Sequence, residues 1–196
     1  MTLTAKVPQY IHSGWQVLET GVEKRNEGVG WVLRHALSEP AYFYVNMLSM
    51  SDYYAERGYL DPRISAWLRI KYVGSLNEAL QQPDGPLRIG VLMSICRIAF
   101  LETLYGDRNA GQNIHRPALA RLLVMSSGFE DRNVPNICMR HLKWSERLCT
   151  KVTGKSMVEM EPELARYWHD DQINHLSGKD VEMLEKYIPW KPKVMD

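Results

Sequence analysis

Apolar residues recur at Leu87, Val91, Ile95, Ile98, Leu101 and Tyr105, the spacing of one helical face. Leu92, Cys96, Ala99, Phe100 and Leu104 fill most of the remaining circumference. A helix that is apolar nearly all round is buried on several sides. This segment, about residues 86–105, is therefore expected to sit at the centre of the fold, opened by Pro86. Gly106 stands where a C′ glycine ends a helix. Residues 107–113 read as a polar loop, and a second apolar helix begins near His115 and ends near Gly128.

The flanking chain repeats the helical rhythm. Residues 1–27 are weakly patterned, with Gly14, Gly21, Gly28 and Gly30 interrupting any long helix and room for one short helix around Trp15 and Leu18. A helix holding Trp31, Val32, Leu33 and Ala36 follows. Ser38-Glu39-Pro40 combines a cap, an acid and an early proline, the signature of a helix start. The helix after it carries Phe43, Met47, Met50 and Tyr54 on one face and stops at Gly58. Asp61-Pro62 is a second start, followed by Ile64, Leu68, Tyr72, Leu76 and Leu80 at four-residue spacing, with Trp67 beside them. Residues 81–86 form the clearest break. Beyond a loop at 129–135, Cys138, Leu142, Trp144, Leu148 and Val152 mark another helix, stopped by Gly154. Short helices are expected at 161–168 and 177–187. No β alternation or hairpin dipeptide appears. The expected fold is all-α, an array of antiparallel helices around the central one. The expected division is a weakly patterned segment 1–37, a helical core domain 38–160 and a C-terminal part 161–196.

Composition narrows the function classes. The 196 residues carry a net charge of +1, so no global basic field favours direct nucleic-acid binding. No segment approaches the ~20 apolar residues of a membrane span, and Arg88, Arg97 and Glu102 interrupt the most apolar one. Cys96, Cys138 and Cys149 are odd in number, scattered and outside CxxC spacing, the usage of buried free thiols in a reducing compartment. The expectation is an intracellular protein of nucleus or cytoplasm with no metal and no cofactor. Ten Met, ten Tyr and six Trp against three Phe make an adaptable apolar set. These side chains fill cores and also line pockets, and the candidate lining is Met47, Met50, Tyr54, Trp67, Tyr105 and Trp144.

Candidate chemistry is sparse. Glu102, Asp107 and His115 flank the loop after the central helix. A carboxylate and an imidazole beside an apolar cavity can do acid–base work when burial tunes them. The same pair can instead hydrogen-bond across the loop and fix the angle between two helices, which is preferred because buried polar groups must be paired. His169, Asp170, Asp171 and His175 form the densest set of metal-ligand types, but their spacing puts only Asp171 and His175 on one helical face. Arg63, Arg69, Lys71, Arg132, Arg140, Lys143 and Arg147, interspersed with Glu78, Glu130, Asp131 and Glu146, read as solvated faces. No serine elbow, phosphate-binding glycine loop or HExxH is present.

A long apolar helix with Glu102 before Gly106-Asp107, a polar loop, then His115, Ala118, Leu122, Leu123 and Gly128, resembles the fungal-specific transcription factor regulatory domain. Residues 72–80 resemble the helix preceding the central one there, and Trp144 matches a tryptophan that family members often carry. The match spans about residues 38–160. The resemblance implies a helical regulatory module of fungal metabolic gene control that binds an apolar small molecule or a protein partner and can pair as a homodimer. The six-cysteine zinc cluster is missing, so sequence-specific DNA binding is not implied. The alternative is a cofactor-independent enzyme of fungal secondary metabolism, a cyclase or isomerase, with Glu102 or His115 as acid or base.

Overall fold

A computed structural model describes residues 22–56, 58–127 and 134–167, and all their regular structure is helical. The elements in order are α1 (Val22–Ser38), α2 (Pro40–Glu56), α3 (Pro62–Leu80), a 3-10 turn (Gly85–Leu87), α4 (Ile89–Tyr105), a helical turn (Arg108–Ala110) running into a π-helical segment (Gly111–His115), α5 (Arg116–Met125), α6 (Asn136–Thr153), α7 (Met157–Met160) and a 3-10 segment (Pro162–Arg166). The all-α expectation therefore holds. Helix α4 contacts α1, α2, α3, α5, α6 and the π-helical segment. Its residues Val91, Leu92, Ile98 and Ala99 are almost wholly enclosed.

Several boundaries differ from the pattern read along the chain. Helix α1 runs through Gly28 and Gly30, whose local propensity cost of about 1 kcal/mol each is overridden by packing of Trp31, Val32 and Ala36 in the core. Ser38 is the last residue of α1, its hydroxyl donating to the His35 carbonyl, so it does not cap α2. Glu39 precedes α2 and is buried against Arg88 at 3.1 Å. Helix α4 begins at Ile89, because Pro86 lies in the separate 3-10 turn. The core also extends past residues 38 and 160, taking in Trp31 on one side and Leu164 on the other. The region 1–21, the loop around Gly128, the cluster from His169 to His175 and the helix expected at 177–187 lie outside the described residues.

Two start and stop signals work as written. Asp61 caps α3, accepting from the Arg63 amide at 2.9 Å, with Pro62 as the first helical residue. Gly154 ends α6 at φ +72°, its amide donating to the Thr150 carbonyl at 2.7 Å. A third signal carries a different meaning. Gly106 is not left-handed (φ −116°). A Cβ at Gly106 would collide with the Glu102 carboxylate, so the glycine keeps room for that side chain.

Helix α3 departs most informatively. Four-residue spacing overshoots a full turn by about 40° per step, so the stripe from Ile64 to Leu80 rotates by about 160°. Only its middle, Leu68 and Tyr72, stays buried, joined by Ala79. Both ends of the stripe wind out to the surface.

Candidate functional site

The segment that follows α4 is a junction of three helices. Glu102 is 97% enclosed, so its carboxylate must be paired. Arg69 reaches in from α3 to form a salt bridge with it. The other oxygen accepts from the Asp107 amide at 2.6 Å. Asp107 in turn accepts from the Ala110 amide at 3.0 Å, which starts a helical turn where a loop was expected. The expected loop is thus short, and residues 111–115 wind as a π-helix. Gly111 lies hard against α4. A Cβ there would stand 2.5 Å from both the amide nitrogen and the hydroxyl of Thr103.

His115 closes this segment half-buried. It makes no hydrogen bond to Glu102, whose partners are Arg69 and the Asp107 amide. The expected Glu102–His115 clasp is therefore replaced by a Glu102–Arg69 clasp. Sequence spacing could not show this, because Arg69 lies one helix earlier and read as a solvated cation. Burial holds the His115 pKa below its ordinary value, with the nearby Glu102 charge acting in the opposite direction. A neutral imidazole can accept a proton, but Glu102 is already neutralised by a guanidinium and an amide.

A second buried ion pair was not legible in the sequence. Arg116 at the start of α5 is 1% exposed and Glu146 on α6 is 7% exposed. The guanidinium grips the carboxylate through two bonds, Nη2 at 2.6 Å and Nε at 3.2 Å. Its Nη1 donates to Thr153 Oγ1 at 2.9 Å and its Nη2 also to the Lys155 carbonyl at 2.7 Å. Glu146 further accepts from the Met157 amide at 2.7 Å and the Thr150 hydroxyl at 3.1 Å. Burial pushes the Glu146 carboxyl pKa up, and Arg116 and the Met157 amide pull it back. Glu146 read as one acid among surface charges. It instead ties α5, α6 and α7 together. Ser156 and Glu159 then cap α7 reciprocally.

The candidate apolar lining divides between the core and the surface. Met47, Met50 and Trp144 are core residues. Tyr54 packs at the core margin. The Tyr105 side chain lies outside the described residues. Trp67 points outward, 51% exposed, with its ring edge-on to Tyr44 at 6.2 Å and Lys71 Nζ 5.8 Å from its centroid. The three cysteines are buried and unbridged, and burial pushes the Cys138 and Cys149 thiols up to about 12, leaving them protonated and inert near neutrality. Among the described residues no group of three metal-ligating side chains converges, and no helix is long and apolar enough to cross a membrane.

Among the described residues, exposed large apolar side chains are concentrated on α3, with others standing singly at Leu37, Tyr59, Ile114 and Met125. Trp67, Ile70 (70% exposed) and Val73 (47% exposed) stand on one face of α3, with Ile64 and Leu80 at its ends. The opposite face of the same helix buries Leu68, Tyr72 and Ala79, and α2 is its main neighbour. Compared with protein-family models, with functionally characterised proteins and with solved structures, the chain matches none.

Proposed function

We propose that this chain is a helical regulatory-type domain that acts by binding a protein partner through the outer face of α3. The observation that carries the reading is the concentration of exposed apolar side chains, Trp67, Ile70 and Val73, on the outer side of α3, where Trp67 alone of the three has a ring contact with a neighbouring helix, through Tyr44. The methionines and Trp144 that could have lined a small-molecule pocket fill the core instead, which favours a protein over an apolar metabolite. The catalytic alternative loses its best acid, because Glu102 is held by Arg69 and the Asp107 amide. A partner-binding helical module is also what the resemblance to the fungal transcription factor regulatory domain implies, through its Glu102, Gly106-Asp107 and His115 pattern.

The test is association in native extract. The full chain, expressed at its natural level, should elute from size exclusion well above monomer size. The double variant Ile70→Glu, Val73→Glu should elute as a monomer while keeping its melting curve, since exposed helix positions tolerate such changes within about 0.5 kcal/mol. A wild-type chain eluting as a monomer, or a variant that keeps the larger size, overturns the reading.

A further inference from the structure

We infer that the partner seated on α3 is a second copy of this chain, with the two α3 helices packed antiparallel about a twofold axis near Ile70 and Lys71. The inference rests on the proposed role of this face and adds the occupant. Arg63, Trp67, Ile70, Gly74 and Glu78 follow one another at spacings of four, three, four and four residues, and all are exposed. That spacing lines them along one seam of a helix. A twofold interface demands self-complementarity, each feature facing its complement at the same distance across the axis. The seam has that property twice around one centre. Arg63 and Glu78, of opposite charge, lie equally far from the midpoint between Ile70 and Lys71. Trp67 and Gly74, a large ring and an absent side chain, lie equally far from the same midpoint. A Cβ built at Gly74 meets nothing within 4 Å, so this exposed position is open to an incoming side chain. In the antiparallel pair, Trp67 of each copy covers Gly74 of the other and the two Ile70 side chains meet at the axis. Arg63 is held by Asp61 through Nε and Nη2, leaving Nη1 to reach the facing Glu78.

Sedimentation velocity of the purified full chain over a concentration series tests this. Wild type should show a monomer–dimer equilibrium, and Ile70→Glu should sediment as a monomer at every concentration. Arg63→Glu and Glu78→Arg should each weaken the dimer about fivefold or more, the contact occurring twice by symmetry, and the double charge reversal should restore it. Trp67→Ala checks the seam a second way and should also weaken the dimer. Far-ultraviolet circular dichroism verifies that each variant is folded. A purified wild type that stays monomeric, a dimer indifferent to Ile70→Glu, or a double reversal no better than its singles overturns the inference. If the purified chain is monomeric while its association in extract is still lost in Ile70→Glu, Val73→Glu, a different protein occupies the face and the proposed function stands. If residues 1–21 of the same chain are found cross-linked to position 70, the inference falls as well.

Discussion

Truncating Glu146 should be among the most damaging single changes available to this fold. Glu146→Ala removes both bonds to the guanidinium of Arg116 and leaves that cation 1% exposed, with Thr153 Oγ1 and the Lys155 carbonyl as its main remaining partners. The Met157 amide loses its acceptor in the same step, so α7 is loosened from α6. Breaking one side of a buried pair costs about 3–5 kcal/mol, because the desolvated partner is left uncompensated. In a chain of this size each kcal/mol lowers Tm by about 2–4 °C, so the expected fall is roughly 6–20 °C. Replacing both partners, Arg116→Met with Glu146→Leu, removes the stranded charge along with the pair. The double variant should therefore recover most of the loss, and such swaps are often neutral. Urea denaturation followed by circular dichroism, with linear extrapolation, measures all three. A Glu146→Ala loss below about 1 kcal/mol, or a double variant as unstable as the single, would refute the claim that this network is desolvated and holds three helices together.

Three further outcomes follow from local geometry. Gly111→Ala should destabilise by about 1–3 kcal/mol, because its Cβ would press on Thr103, whereas Gly74→Ala should stabilise the isolated chain by up to about 1 kcal/mol, since that site is open and helical; thermal melts of the two should move in opposite directions. His115 has a folded pKa below its unfolded value because burial disfavours the imidazolium. Its contribution is therefore complete above about pH 6.5 and is lost as pH falls toward the folded pKa, so His115→Gln should flatten the decline of stability below that pH, and an unchanged pH profile would count against burial of the ring.

The fold was legible where local chemistry acts alone. Apolar periodicity located α2, α3, α4 and α6, and Asp61, Pro62 and Gly154 delivered the ends they announced. What stayed hidden depends on partners distant in the chain. Arg69 and Glu102 are ordinary helix residues until α3 and α4 are packed together, and the same holds for Arg116 and Glu146. Glu102 drew attention because a lone acid interrupts an apolar helix, whereas Glu146 sits among Lys143, Arg147 and Lys151 and gives no such contrast. The turn after Gly106 looked like loop because its residues are polar, yet capping by Glu102 and Asp107 suffices to wind it. The outward face of α3 was hidden for a geometric reason. A four-residue stripe looks like one face in sequence but rotates away from the core toward both ends of the helix, and Trp67, Ile70 and Val73 lie outside it.

The claim that this face is where the protein works is tested most directly by placing a benzophenone amino acid at position 70 in the full chain and irradiating intact cells. The account predicts an adduct with a protein partner at position 70, a second copy by the inference above, and no adduct from the same probe at exposed Glu163. Equal labelling at both positions, or no protein adduct at position 70, would contradict it.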